Sequence, residues 1–148
     1  MDERTALLGM LLVDGIGPAR IRQLEQRFHS AQEAWENRRH WTSLPGFSEA
    51  LVGRALAVTQ KDIDRQRTGL EKLNARLIID TDPDYPPGVH HLPNPPKALF
   101  VRGCMPTNMS AAVAIVGTRR PSSNGLATAQ ALSRDLAAVG LVVVSGLA

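Results

Sequence analysis

Residues 114–125 read AIVGTRRPSSNG: an apolar run that stops at Gly117, two arginines beside Pro121, and a turn of small residues. The residues downstream decide how the run folds. Leu126, Ala129, Leu132 and Leu136 fall on one helical face, Gly140 stops the helix, and LVVVSG (141–146) opens a second run whose β-branched residues suit a buried strand. Strand, glycine turn, helix and strand in that order make a βαβ unit. The pattern predicts the start of a parallel sheet, with the helix capped near Ser123 or Asn124.

Upstream the pattern is different. From Leu7 to about Leu73 the apolar residues recur at three and four positions with Gly and Pro between them, which predicts an all-helical domain over residues 1–76. Between the two patterns lies a connector with seven of the ten prolines, from Pro83 to Pro106, whose only strand-like runs are LIID and ALFVRG. Prolines at that density predict an ordered connector with short edge strands. The fold class is α/β: an N-terminal all-α helix-hairpin-helix (SAM-like) domain, then residues 77–148 as the connector and the first βαβ part of a Rossmann-like parallel sheet. Two strands leave such a sheet with an open edge and bare apolar faces, so the chain is expected to be a piece of a longer protein.

Composition narrows the function. The 148 residues carry 17 Lys and Arg against 14 Asp and Glu, with a pI near 9.6, which permits a polyanionic partner without demanding one. The lone Cys104 excludes an internal disulfide and a multi-thiolate metal site, and is expected to be a small buried side chain of a reducing compartment. DERTALLGMLL after Met1 is not a signal sequence, no run is long enough to span a membrane, and the protein is expected to be soluble and cytoplasmic.

Two pieces of the helical half are alike, VDGIGPARIRQL (13–24) and LPGFSEALVGRAL (44–56). Each orders a short link, a glycine, an apolar residue and a helix as a helix-hairpin-helix turn does, leaving amides free at a helix N-terminus where a phosphate fits. Gly15, Gly17, Arg20 and Arg22 are thus possible DNA contacts; the alternative is a pair of packing turns around a core of Trp35, Trp41 and Phe47. The turn in GTRRPSSNG is neither a dinucleotide fingerprint nor a P-loop, which argues against NAD or ATP. It offers Gly117 for close approach, the Thr118 hydroxyl as donor and the Arg119 guanidinium as a fork for phosphate, with Ser145 and Gly146 along the same sheet edge. Arg120 is a possible contact but, beside Pro121, is expected to pair within the protein.

The connector DPDYPPGVHHLPNPPKALFVRG (82–103), the GIGPARIRQL hairpin and AIVGTRRPSSNG followed by VVVSGLA together resemble the bacterial DNA-processing protein A (DprA/Smf) family. The resemblance covers essentially the whole chain. It implies a Rossmann-like single-stranded DNA-binding protein that passes DNA to the RecA recombinase in natural transformation, with no enzymatic activity and no cofactor. It also implies a possible homodimer through the Rossmann-like domain of the longer protein. The family's Gly-Ser/Thr-Arg motif falls on Gly117, Thr118 and Arg119, and its Ser-Gly-x-Ala motif on Ser145, Gly146 and Ala148. Asn124 stands where many members carry Tyr. The alternative function is a nucleotide or nucleoside-phosphate hydrolase on a related scaffold, disfavoured because no catalytic carboxylate pair or Ser/His/Asp set is present.

Other polar residues have plainer explanations. Asp80, Asp82 and Asp84 suit turns beside prolines better than a cation site. His90 and His91 on extended backbone would point opposite ways. Tyr85 and Phe100 are expected to dock the connector onto the sheet rather than stack on bases.

Overall fold

The computed structural model describes residues 1–105 and 111–146, which belong to two compact units, Met1–Met105 and Pro106–Ala148. In the first unit α1 (Glu3–Leu11), α2 (Pro18–Phe28), α3 (Ala31–Glu36), a 3-10 turn (Arg38–Ser43), α4 (Glu49–Ala57) and α5 (Gln60–Lys72) lead into β1 (Ala75–Ile79). A second 3-10 turn (Pro87–His91) and β2 (Ala98–Arg102) come next. In the second unit β3 (Ala112–Ala114), α6 (Ser123–Ala138) and β4 (Val142–Val144) complete the described elements.

The helices begin where side chains can close them. Asp2 accepts from the Thr5 amide, Ser30 from Glu33, Ser48 from Leu51, and Thr59 and Asp62 form a reciprocal capping box. Among the described α-helices only α2, entered through Gly17 and Pro18, has no side-chain cap. Glu3 extends this logic between helices, its two carboxylate oxygens accepting from the Ala31 and Gln32 amides of α3 at 2.8 and 2.9 Å.

The helical core forms around Trp35 and Trp41, with ring centroids 6.2 Å apart, and Phe47, edge-on to Trp41 at 5.9 Å. Trp41 is fully buried, and its indole Nε1 donates to the Ala34 carbonyl at 2.8 Å, so the ring is sunk without an unmet donor. Gly9 lets α1 approach Trp35: a Cβ there would lie 2.8 Å from the indole. The expected core trio is therefore in place.

β1 and β2 pair with each other, antiparallel, from Ala75↔Arg102 to Ile79↔Ala98. Opposed residues of an antiparallel pair share a face. Leu77, Ile79 and Ala98 accordingly join the helical core, while Ile78 and Val101 pack with Tyr85 on the other side. The pattern change near residue 76 is thus the join between α5 and β1, whereas the spatial division lies at 105/106. Tyr85 is docked as expected, donating through its hydroxyl to Pro96 O, but Phe100 remains half-exposed.

Two expectations are corrected. Cys104 is exposed, because β2 ends at Arg102 and Gly103, at φ +87°, turns the chain off the sheet before the thiol. His90 and His91 lie on a 3-10 turn, not on extended backbone, and His90 rests against Tyr85 with centroids 4.8 Å apart. The three aspartates hold cations of the protein: Asp80 binds Lys97 at 2.7 Å, Asp82 binds Arg4 at 2.8 Å, and Asp84 binds Arg76. Among the described residues no cluster could hold a metal ion.

The second unit has the predicted connectivity. β3 and β4 pair in parallel, Ala112↔Val142 through Ala114↔Val144, with α6 as the crossover. Ser122 caps α6 by accepting from the Gly125 amide at 3.1 Å, and Gly140 at φ +85° turns the chain back toward β4. The helix starts one residue earlier than expected, because Ser122 has the extended backbone that a cap requires.

Candidate nucleic-acid interface

Parallel pairing fixes where the candidate residues lie. Ile115 donates to Val144 O at 2.9 Å, one step past the paired strands, so the chain leaving β3 toward Gly117 and the chain leaving β4 at Ser145 and Gly146 depart from the same carboxyl edge. Ser122, the cap of α6, stands five residues after Gly117. Amides at that N-terminus and the loops at the strand ends are the places where open α/β sheets bind anions.

The loop itself is open. A Cβ on Gly117 would meet nothing within 4 Å, and its φ is not in the left-handed region. Glycine at 117 is therefore not demanded by the turn; what it leaves is bare space above the sheet edge. Thr118 Oγ1 accepts from the Arg120 amide at 3.3 Å, which holds the loop in a tight local turn and keeps the hydroxyl proton for another acceptor. Arg119 and Arg120 are exposed, and among the described residues neither side chain makes a hydrogen bond or ion pair. The expectation that Arg120 pairs within the protein is not met: the acidic residue of this unit, Asp135, lies in the last turn of α6, far along the helix from the loop.

The two front turns are built alike. Gly15 at φ +92° and Gly46 at φ +82° make the left-handed step, Ile16 and Phe47 are buried beside them, and Gly17 and Ser48 precede the helices that come next. Each helix braces the other turn. From α2, Arg20 donates to Gly46 O at 3.1 Å and Gln23 to Pro45 O at 3.1 Å; from α4, Arg54 donates to Asp14 O at 3.1 Å. Arg20 also donates to Gly15 O and lies 5.8 Å from the Phe47 ring centroid. The structure thus brings Gly15, Gly17 and Arg20 together but engages the Arg20 guanidinium with backbone carbonyls. Arg22 reaches the connector, 3.4 Å from Pro93 O and Asn94 Oδ1.

A partly buried ionic cluster joins α2 to the hairpin. Lys97 Nζ lies 3.1 Å from Glu25 and 2.7 Å from Asp80. Burial pushes the Glu25 carboxyl above its ordinary range; burial also opposes the Lys97 charge, but bonds to Asp80 and Glu25 outweigh it and raise the ammonium. Sequence reading missed this cluster and the bracing by Arg54, since a charge is visible in a sequence but the partner the fold brings to it is not.

Residues 76–148 match the family model described as DNA recombination-mediator protein A. Over 161 aligned residues the chain is 28% identical to the Protein Smf of Synechocystis sp., covering 99% of this chain and 38% of that one. It is 30% identical over 120 residues to the Protein Smf of Escherichia coli, covering 74% of this chain and 32% of that one. The chain therefore spans about a third of the length of these curated relatives.

Proposed function

The chain belongs to the DNA-processing protein A (DprA/Smf) family, and from that premise we propose that it forms part of a nonenzymatic mediator of DNA recombination. In this reading the protein holds single-stranded DNA and delivers it to the RecA recombinase during natural transformation, in the cytoplasm, and dimerises through its Rossmann-like domain. Gly117, Thr118 and Arg119 take one backbone phosphate, and Ser145 and Gly146 flank it. The carrying observation is the parallel pairing of β3 and β4, which places both loops at one sheet edge near the start of α6 while Arg119 has no partner among the described residues. A guanidinium with its N–H fork unused, beside free amides, suits a phosphate of any strand and reads no base.

No helix among the described residues is long and apolar enough to cross a membrane. The two front turns serve mainly as scaffold, with Gly17 and the uncapped start of α2 as the part still open to a phosphate.

Fluorescence anisotropy with a labelled single-stranded oligonucleotide tests the reading. Arg119→Ala is expected to cost about 1.5–3 kcal/mol of binding and to flatten the log–log salt dependence by about 0.7, alike for all sequences. Unchanged affinity and slope in a folded variant would reject it.

A further inference from the structure

We infer that the open groove lined by Arg27, Phe28, Asn37, His40, Thr42 and Ser43 is a second contact for the phosphate backbone of a nucleic-acid strand. This rests on the proposed function for the identity of the ligand, but on a different surface for the contact. The groove lies where α2 ends and the 3-10 turn Arg38–Ser43 runs past, in the first compact unit.

Three observations carry it. First, the cation here is uncommitted: among the described residues, the side chains of Arg27 and its groove neighbour His40 make no ion pair or hydrogen bond. The contrast with most other arginines of this unit is sharp, since Arg4, Arg20, Arg22, Arg38, Arg54, Arg65, Arg67 and Arg76 each donate to an oxygen of the protein.

Second, Arg27 is held ready. Its guanidinium carbon lies over the Phe28 ring, 5.4 Å from the centroid, a cation–π contact that uses up no N–H donor.

Third, the groove floor carries short hydroxyl and amide side chains of the kind that contact phosphate oxygens, Thr42 and Ser43 among them, and Asn37 fixed by its donation to Glu33 O at 2.9 Å. Nearby Glu36 is turned to other partners: it accepts from Gln32 at 3.1 Å and lies 4.0 Å from the N-terminal amine. Segment 37–43, NRRHWTS, contains no acid at all. Polar lining with one aromatic ring and surplus positive charge favours a strand backbone over an apolar peptide.

The experiment is a residue-resolved NMR titration of the whole chain with oligothymidylate of about 12 nucleotides, a length within the range one binding fold occupies. Amide shifts at 27–28 and 37–43 are expected, and Arg27→Gln with His40→Gln should weaken binding several-fold and lower the log–log salt slope by about 0.7 for each phosphate no longer gripped. Shifts confined to residues 117–123 overturn this inference and leave the proposed function standing. Shifts confined to 27–43 uphold this contact and reject the other, and no shift at either rejects both. Poly-glutamate that moves the same amides with equal affinity overturns the assignment to nucleic acid. Circular dichroism of the double variant, with both side chains at an open groove, establishes that it is folded.

Discussion

Arg4, in the first turn of α1, grips the carboxylate of Asp82 in the connector with two hydrogen bonds of 2.8 Å, and the same guanidinium donates to Leu77 O at 2.6 Å. Asp82 in turn accepts from the Ile79 amide at 2.8 Å, so one ion pair fastens the first helix to the end of β1. The Arg4 bond, helped by that amide, holds the Asp82 carboxyl below the usual carboxylate range.

A carboxyl whose folded pKa is lowered stabilises the fold above its unfolded value of about 3.9 and loses that contribution as pH falls through the lower folded value. Thermal melts are therefore expected to show stability falling on acidification below about pH 4, with Asp82→Asn losing part of that dependence. Asp2, lowered by the Thr5 amide, acts in the same sense. Glu25, raised by burial, acts in the opposite one: its charge costs stability above its folded pKa, and the cost is relieved as the group takes up its proton. Arg4→Ala should cost about 1 kcal/mol at neutral pH, the pair being partly exposed. An unaltered melt in both variants would rule out the clamp.

Gly9→Ala should be among the costlier small changes in the chain. The new methyl would sit 2.8 and 2.9 Å from two indole carbons of Trp35 and 3.1 Å from Ile63 Cδ1, all in the core. Overpacking of this kind costs about 1–3 kcal/mol. A shift of the urea midpoint to lower concentration, at unchanged slope, is the expected readout.

Gly117→Ala should behave differently. With open space at the Cβ and no left-handed φ, folding stability stays within about 0.5 kcal/mol. If a phosphate is drawn onto the bare backbone, oligonucleotide affinity falls all the same. Gly15→Ala provides the reverse case, its φ of +92° making the substitution strained by about 1 kcal/mol before any ligand is considered. Affinity equal to the parent's in Gly117→Ala would remove the close-approach role.

Residues 1–76 by themselves should retain helical circular dichroism yet melt below residues 1–105. Leu77, Ile79 and Ala98 belong to the helical core, and Lys97 supplies the partner for half-buried Glu25. Equal melting temperatures for the two lengths would show that the hairpin contributes nothing to the helices.

How far the sequence revealed this structure depended on the range of the interactions. The βαβ unit was legible because its signals are local: a β-branched run, a serine cap, a glycine stop. The aromatic core of Trp35, Trp41 and Phe47 was named from the sequence only as the alternative to DNA-contacting turns. What could not be read were pairings over distance. Arg4 and Asp82 are 78 residues apart and Lys97 reaches back to Glu25, so a boundary placed where periodicity changes missed that the connector hairpin packs with the helices. At the candidate site, the charge of Arg20 was visible but its acceptors, the carbonyls of Gly15 and Gly46, were not. Cys104 was misplaced because burial statistics carry no knowledge of where a strand ends.

The reciprocal bracing of the front turns has a kinetic consequence. Arg20 and Gln23 hold the second turn from the helix behind the first, and Arg54 holds the first from the helix behind the second. Neither loop loosens without breaking a bond that the other's helix supplies. Amide exchange at residues 14–17 and 46–48 should then report a single shared opening rate, and a disturbance at one loop should be felt at the other as a change of lifetime rather than of shape.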